Sequence, residues 1–347
     1  MIHRYPVLDL SHNRRIENDE IERCRGLVAA IERSARTSGS LEDESRWVSA
    51  DGHKVYGEVT NVDFTSVDSE FLRRLRMESF MFSGVRLTNI LGNNSELDWN
   101  DYFTQFFPDE SGEAPDWCIP AFKEYTRGLA PEYICEPPLV LGEIGYQVGT
   151  CCVNRDIISC QERINLLLEF GMFNRLRNLE RPTILEVGAG YGGLAYFIKQ
   201  IVPHVTYIIV DLPRSLLFSG CYLSVTLPGH PVEVLDGSPC SAGGVWLVVN
   251  RFLERLKRIR VDLAINTLSF AEMSPKLVAD YASFIAQHLA PDGALFEQNF
   301  DNSHFSSSNF SCPAEILPQY FPFRLEARGP ARWGKASLWT LQSPQPI

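Results

Sequence analysis

No run of apolar residues in this sequence is long enough to cross a membrane, which takes roughly 20 in succession. The first residues, Met1 to Pro6, lack the apolar centre of a secretion signal. Basic charge is scarce as well: 32 Lys and Arg face 43 Asp and Glu, for a net charge of −11. Without a basic stripe to neutralise phosphates, a nucleic-acid partner is disfavoured. The nearest candidate, Arg251 to Arg260, alternates with Phe252, Leu253, Leu256 and Ile259 and reads as a solvated helix face. Nine cysteines, an odd number, follow neither a disulfide framework nor a zinc spacing, and the acids that could bind a magnesium ion show no clustered ligand spacing, so no metal ligands are assigned. These absences predict a protein of the reducing cytoplasm, with neither membrane nor nucleic acid as partner.

What is present is ordinary core material, 45% hydrophobic in 347 residues, which is long for one domain and suggests two. The rest of the chain is organised around residues 181–212. Ile184, Leu185 and Val187 read as a buried parallel strand, followed by a glycine-rich turn. Leu194, Phe197, Ile198 and Ile201 then recur at helical spacing, so the turn opens a helix whose N-terminal N–H groups face a ligand. A second strand from Val205 ends in Asp211.

Two ligands suit these glycines. Gly188, Gly190 and Gly193 satisfy a dinucleotide fingerprint with Asp211 at about the right distance for a ribose hydroxyl. Glu186, Gly188, Gly190 and Gly192 equally satisfy the acid-x-G-x-G-x-G pattern of S-adenosylmethionine enzymes. A carboxylate at Glu186 suits a cationic methionine end and sits badly beside a pyrophosphate, which favours S-adenosylmethionine.

Before Cys160 the chain does not resemble a catalytic core. Ile21, Cys24, Leu27, Val28 and Ile31 predict an amphipathic helix, and residues 36–45 a surface loop. Val55 to Val59 reads as part of a strand pair, and Phe71, Leu72, Leu75 and Phe82 as a second helix. Aromatics and prolines crowd residues 93–138 as packing or as a substrate wall, and Leu141 to Gly149 reads as a connector able to touch the ligand. From Gln161 a helix leads into alternating strands and helices: strands at Val232 to Asp236, Val261 to Asn266 and Ala294 to Asn299, and helices at Leu216 to Leu227 and Leu277 to Leu289. Phe323 to Arg328 and Ala336 to Leu341 then form a hairpin. The expected fold is α/β, a Rossmann-like, mostly parallel sheet closed by a reversed hairpin over residues 161–347, with a largely helical domain over residues 1–160.

The motif at Leu185 to Ala195, the run Tyr207 to Pro213 and the segment Ile265 to Met273 together resemble the bacterial sugar O-methyltransferase family of class I S-adenosylmethionine-dependent methyltransferases. The likeness covers roughly residues 141–341; class I enzymes also end their sheet on a reversed strand. It implies methylation of a hydroxyl on a sugar or sugar-like acceptor in glycan or natural-product assembly. The alternatives are an N- or C-methyltransferase on another small metabolite, or a regulatory pseudo-methyltransferase. In that reading Glu186 with the backbone of Gly188, Ala189 and Gly190 holds the methionine portion, Asp211 takes the ribose hydroxyls and Leu212 packs on the adenine. Asp236 and Gly237 are placed for the adenine amino group, and Asn266 lies beside the methyl. Ser269 and Asn299 line the acceptor side, and Glu272 or His304 takes the acceptor's proton. The N-terminal domain covers the acceptor or forms the contact of a homodimer.

Overall fold

The computed structural model describes residues 6–37, 67–79, 118–303, 311–329 and 331–343. The sequence-predicted strand at Val55 to Val59, Phe82, most of the aromatic-rich stretch and His304 lie outside them.

Among the described residues an eight-stranded sheet organises the molecule. Its strands are β4 (Thr183–Val187), β5 (Thr206–Asp211), β6 (Val232–Val234), β7 (Val245–Val249), β8 (Val261–Thr267), β9 (Leu289–Asn299), β10 (Phe323–Glu326) and β11 (Lys335–Thr340). Their order across the sheet is β6-β7-β5-β4-β8-β9-β11-β10. β11 is antiparallel to both β9 and β10, and the remaining pairs are parallel. β4 sits at the centre because both its faces are apolar: Ile184 belongs to one core, Leu185 and Val187 to the other.

Helices α5 (Arg155–Glu169), α6 (Met172–Asn178), α7 (Gly193–Ile201), α8 (Pro213–Thr226) and α9 (Pro275–His288) cover the sheet. The predicted helix from Gln161 begins six residues earlier, because Asn154 accepts the Ile157 N–H and caps α5. It ends at Gly171, whose φ of +71° breaks α5 from α6. The C-terminal end of α7 is closed by the buried Lys199 ammonium, which donates to the carbonyls of Pro203, Val205 and Gly243.

The third strand differs most from expectation. Val232–Val234 forms only the outer edge, and the position beside β5 belongs to β7, which sequence reasoning passed over. Residues 245–249 are an uninterrupted apolar run, the signature of a strand buried on both faces. After β7 the chain does not form the expected α-helix but a 3-10 run, Asn250–Leu256, kinked at Phe252.

The N-terminal part contributes α1 (Asn18–Thr37), α2 (Ser69–Arg73), α3 (Leu75–Glu78) and α4 (Cys118–Tyr125). It also forms a small antiparallel sheet of β1 (Val7–Leu8), β2 (Gly145–Val148) and β3 (Cys151–Val153). The segment read as a connector is therefore largely a hairpin. Ile21, Cys24, Val28 and Ile31 of α1 pack on α8 in the same hydrophobic core as β4, β5 and β7. These described N-terminal residues thus pack in the same core as the sheet, and residue 160 lies inside α5.

Candidate active site

The parallel strands end along one edge, and the candidate residues collect there by topology. The Gly188 N–H donates to the Val210 carbonyl, which ties the turn after β4 to the end of β5. Gly188, Gly190 and Gly192 all have positive φ. At Gly188 the space is also taken, since a Cβ would lie 2.3 Å from Ser269 Oγ. The Gly190 N–H reaches Asp211 Oδ2 at 3.2 Å, and the Leu212 N–H reaches Oδ1 at 2.8 Å. Asp211 is therefore held beside the turn by backbone donors. Burial pushes its carboxyl up to about 6, against the lowering effect of those N–H groups.

Glu186 is fully buried behind the turn, accepting the Tyr207 hydroxyl at 2.8 Å. Burial pushes it up to about 7, while Tyr207 and the nearby Arg163 guanidinium hold it down. A buried carboxylate and a half-buried one at adjacent strand ends favour a ligand that brings positive charge and hydroxyl donors. Leu212, half-buried, follows Asp211 and leads into α8.

Asp236 and Gly237 are exposed at the end of the outer strand, where the Asp236 carboxylate accepts the Ser238 N–H. The residue beside Asp211 is different. Val249 pairs with Asp211 in the register, and the next residue, Asn250, has an enclosed Oδ1 with no hydrogen-bond partner among the described residues. A buried amide oxygen left without a donor is rare. The apolar run ending in Asn250 was the signal that could have found it.

On the other side of β4 the candidates bond to one another. Asn266 donates from Nδ2 to the Val187 carbonyl and to Ser269 Oγ, and accepts the Phe270 N–H and Asn299 Nδ2 on Oδ1. Asn299 also donates to Glu297 and accepts the Ala271 N–H. Asn266, Ser269, Asn299 and Glu297 thus form one network that shapes the turn between β8 and α9. Leu268 enters that turn with φ +68° and ψ −32°, a strained conformation for a branched side chain. The turn ends at Glu272, which is exposed.

Burial that would enhance Glu272 as a base is thus absent from the described residues. Glu186, the glycine turn, Asp211 and Leu212 come together in one half of the site; Asn266, Ser269, Asn299 and Glu272 form the other half.

No known family pattern and no curated protein matches this sequence. Several solved structures are similar to part of the chain. An O-methyltransferase family protein from Burkholderia thailandensis is 12% identical over 55% of this chain and 62% of its own, with a TM-score of 0.37. Human methyltransferase-like protein 13, solved with S-adenosylhomocysteine, is 16% identical over 52% of this chain and 82% of its own, with a TM-score of 0.38. The N-methyltransferase NodS from Bradyrhizobium japonicum, also solved with S-adenosylhomocysteine, is 16% identical over 49% and 82%, with a TM-score of 0.34. The chain spans between about half and 62% of the length of the first structures it matches. Its own strand order, with β11 reversed between β9 and β10, has the reversed hairpin ending expected from the sequence. Among the described residues no helix is long and apolar enough to cross a membrane.

Proposed function

We propose that the chain transfers a methyl group from S-adenosylmethionine to a hydroxyl of a small acceptor, a sugar or sugar-like polyol. The observation that carries this reading is Asp211, anchored by the Gly190 N–H at the end of β5 and beside the buried Glu186. That pair fits a ligand with two vicinal hydroxyls and a cationic amino-acid end. Asn250 Oδ1 fits the adenine amino group, a role the sequence reading gave to Asp236.

S-adenosylmethionine supplies an electrophilic methyl: the acceptor oxygen forms a C–O bond as the C–S bond breaks, and its electron pair returns to sulfur. The protein's tasks are orientation and removal of the hydroxyl proton. Asp211 and Glu186 hold the two ends of the cofactor, and the rigid turn of Asn266, Ser269 and Asn299 supports Glu272. Glu272 takes the hydroxyl proton; His304 is the competing base. The chain before residue 160 covers the acceptor site or forms the contact of a homodimer, in the cytoplasm.

Calorimetry with S-adenosylhomocysteine tests the reading directly. Asp211→Ala should weaken binding at least about tenfold, since hydrogen bonds to a charged acceptor contribute roughly 1.5–3 kcal/mol each. Absence of binding by the native chain would remove the function. Methyl uptake by nucleotide sugars, against amines and amino acids, then decides the acceptor class.

A further inference from the structure

Arg76 lies far from the glycine turn in sequence yet packs directly against it. Its guanidinium carbon sits 3.5 Å from the ring centroid of Tyr191, the residue between Gly190 and Gly192. All three guanidinium nitrogens are engaged. Nε donates to Glu143 Oε2 at 2.8 Å, Nη2 to Asp156 Oδ2 at 2.7 Å, and Nη1 to the carbonyl and hydroxyl of Ser79. Arg76, Glu143, Asp156 and Tyr191 are all buried. Glu143 is itself held on its other oxygen by Asn154 Nδ2 at 2.6 Å, the residue that caps α5. The backbone that delivers it is strained: Leu141 has φ +61°, and its carbonyl accepts the Arg76 N–H. At Gly142 a Cβ would lie 2.6 Å from the Arg73 carbonyl, so the turn and the end of α2 meet at backbone distance. Tyr191 in turn folds over the start of α7, where a Cβ on Gly193 would lie 2.1 Å from its hydroxyl.

A planar, forked cation does here what an apolar side chain could not: it spans two carboxylates and stacks on a ring at once. A packed hydrophobic trio of similar volume would serve stability as well or better. The arrangement is therefore explained by the orientation it imposes on Tyr191, and through it on the Gly190 N–H that meets Asp211. We propose that Arg76 is a positioning residue for the cofactor turn, so that the segment before the sheet is part of the S-adenosylmethionine site. This rests on the methyltransferase reading above.

The test is calorimetry with S-adenosylhomocysteine on the full chain, comparing the native protein with the neutral triple variant Arg76→Met, Glu143→Gln, Asp156→Asn and with Arg76→Lys. The triple variant buries no unpaired charge, so its fold should persist. Its dissociation constant should rise by about tenfold or more with the binding stoichiometry unchanged, because a turn no longer pre-organised is ordered at the expense of affinity. A purely structural role predicts the converse: a lower thermal midpoint or stoichiometry with the same dissociation constant, which would overturn the proposal. Should the triple variant fail to fold, Arg76→Lys decides on the same criterion, since it keeps the charge and loses the fork. No binding by the native chain would overturn both this inference and the function; native binding with unaltered variant affinity would overturn this inference alone.

Discussion

The two halves of the strand-end site are built differently. Around β5 and β7, Asn250 holds an oxygen without a hydrogen-bond partner among the described residues, and the Asp211 carboxyl beside it is pushed up to about 6 by burial. Around β8 and β9, Asn266, Ser269 and Asn299 spend their side chains on each other and on the backbone. In the proposed reaction the first half receives the cofactor, the second serves as a scaffold, and Glu272 at its rim is the base. Binding and framework therefore separate along β4, and substitutions on either side should fail in different ways.

The largest effect is expected at the rim. Glu272→Gln keeps shape and removes basicity, so kcat on an accepted sugar should fall by roughly 10²–10⁴ with S-adenosylhomocysteine affinity unchanged. A near-native kcat would demote Glu272 to a turn residue, and an acid limb near pH ~6.5 that disappears in His304→Ala would move the base to the histidine.

Next is the framework. Asn266→Ala strands the Phe270 N–H and the Asn299 amide inside the protein, at a cost of about 2–4 kcal/mol in stability, read as a lower denaturation midpoint. If the midpoint held and only methyl transfer were lost, Asn266 would belong to the reacting half and the comparison would break.

The halves were not equally legible in the sequence. Glycines at positive φ and an acid after an apolar run are local signals, so Glu186, the turn and Asp211 could be read directly. The hairpin of β10 and β11 was legible for the same reason. Which strand lies beside β5 is a pairing question, decided by burial across the sheet, and neighbours in sequence could not reveal that β7 displaces β6 to the edge. The sequence therefore placed Asp236, at the end of the run Val232 to Asp236, in the position next to Asp211, where the structure has Asn250. The commitment of Asn266 to Asn299 spans 33 positions, and that of Arg76 to Asp156 spans 80; neither leaves a periodic trace. An arginine on a short helix next to other arginines reads as surface until its partners are known.

A pH series sharpens the comparison from the binding side. Asp211 must be ionised to accept two ribose hydroxyls, and its carboxyl sits at about 6 in the ligand-free chain. Ligand donors favour the ionised form, so binding expels a proton below that pH and none above it. Affinity for S-adenosylhomocysteine should be level above pH ~7 and fall by up to about tenfold per unit below pH ~6. For the ligand-free fold the sign reverses. Glu186 and Asp211 hold protons more tightly folded than unfolded, so their contribution to stability declines as pH rises from about 4 through 7. A flat affinity between pH 5 and 7 would mean that Asp211 accepts nothing from the ligand.

The smallest predicted effect discriminates most finely. Asn250 Oδ1 has no partner among the described residues, so its desolvation is uncompensated until a donor arrives. Asn250→Ala should leave stability unchanged or slightly raised, because an unsatisfied oxygen is removed, and should weaken S-adenosylhomocysteine by about 1 kcal/mol, roughly fivefold. The loss should be confined to the base: with the adenine amino group replaced by hydrogen, native chain and Asn250→Ala should bind equally well. Asp236→Ala, on the exposed outer strand, should change neither measurement. If Asp236→Ala carried the loss and Asn250→Ala did not, the adenine would lie over the sheet edge. The strand beside β5 would then have no part in recognising it.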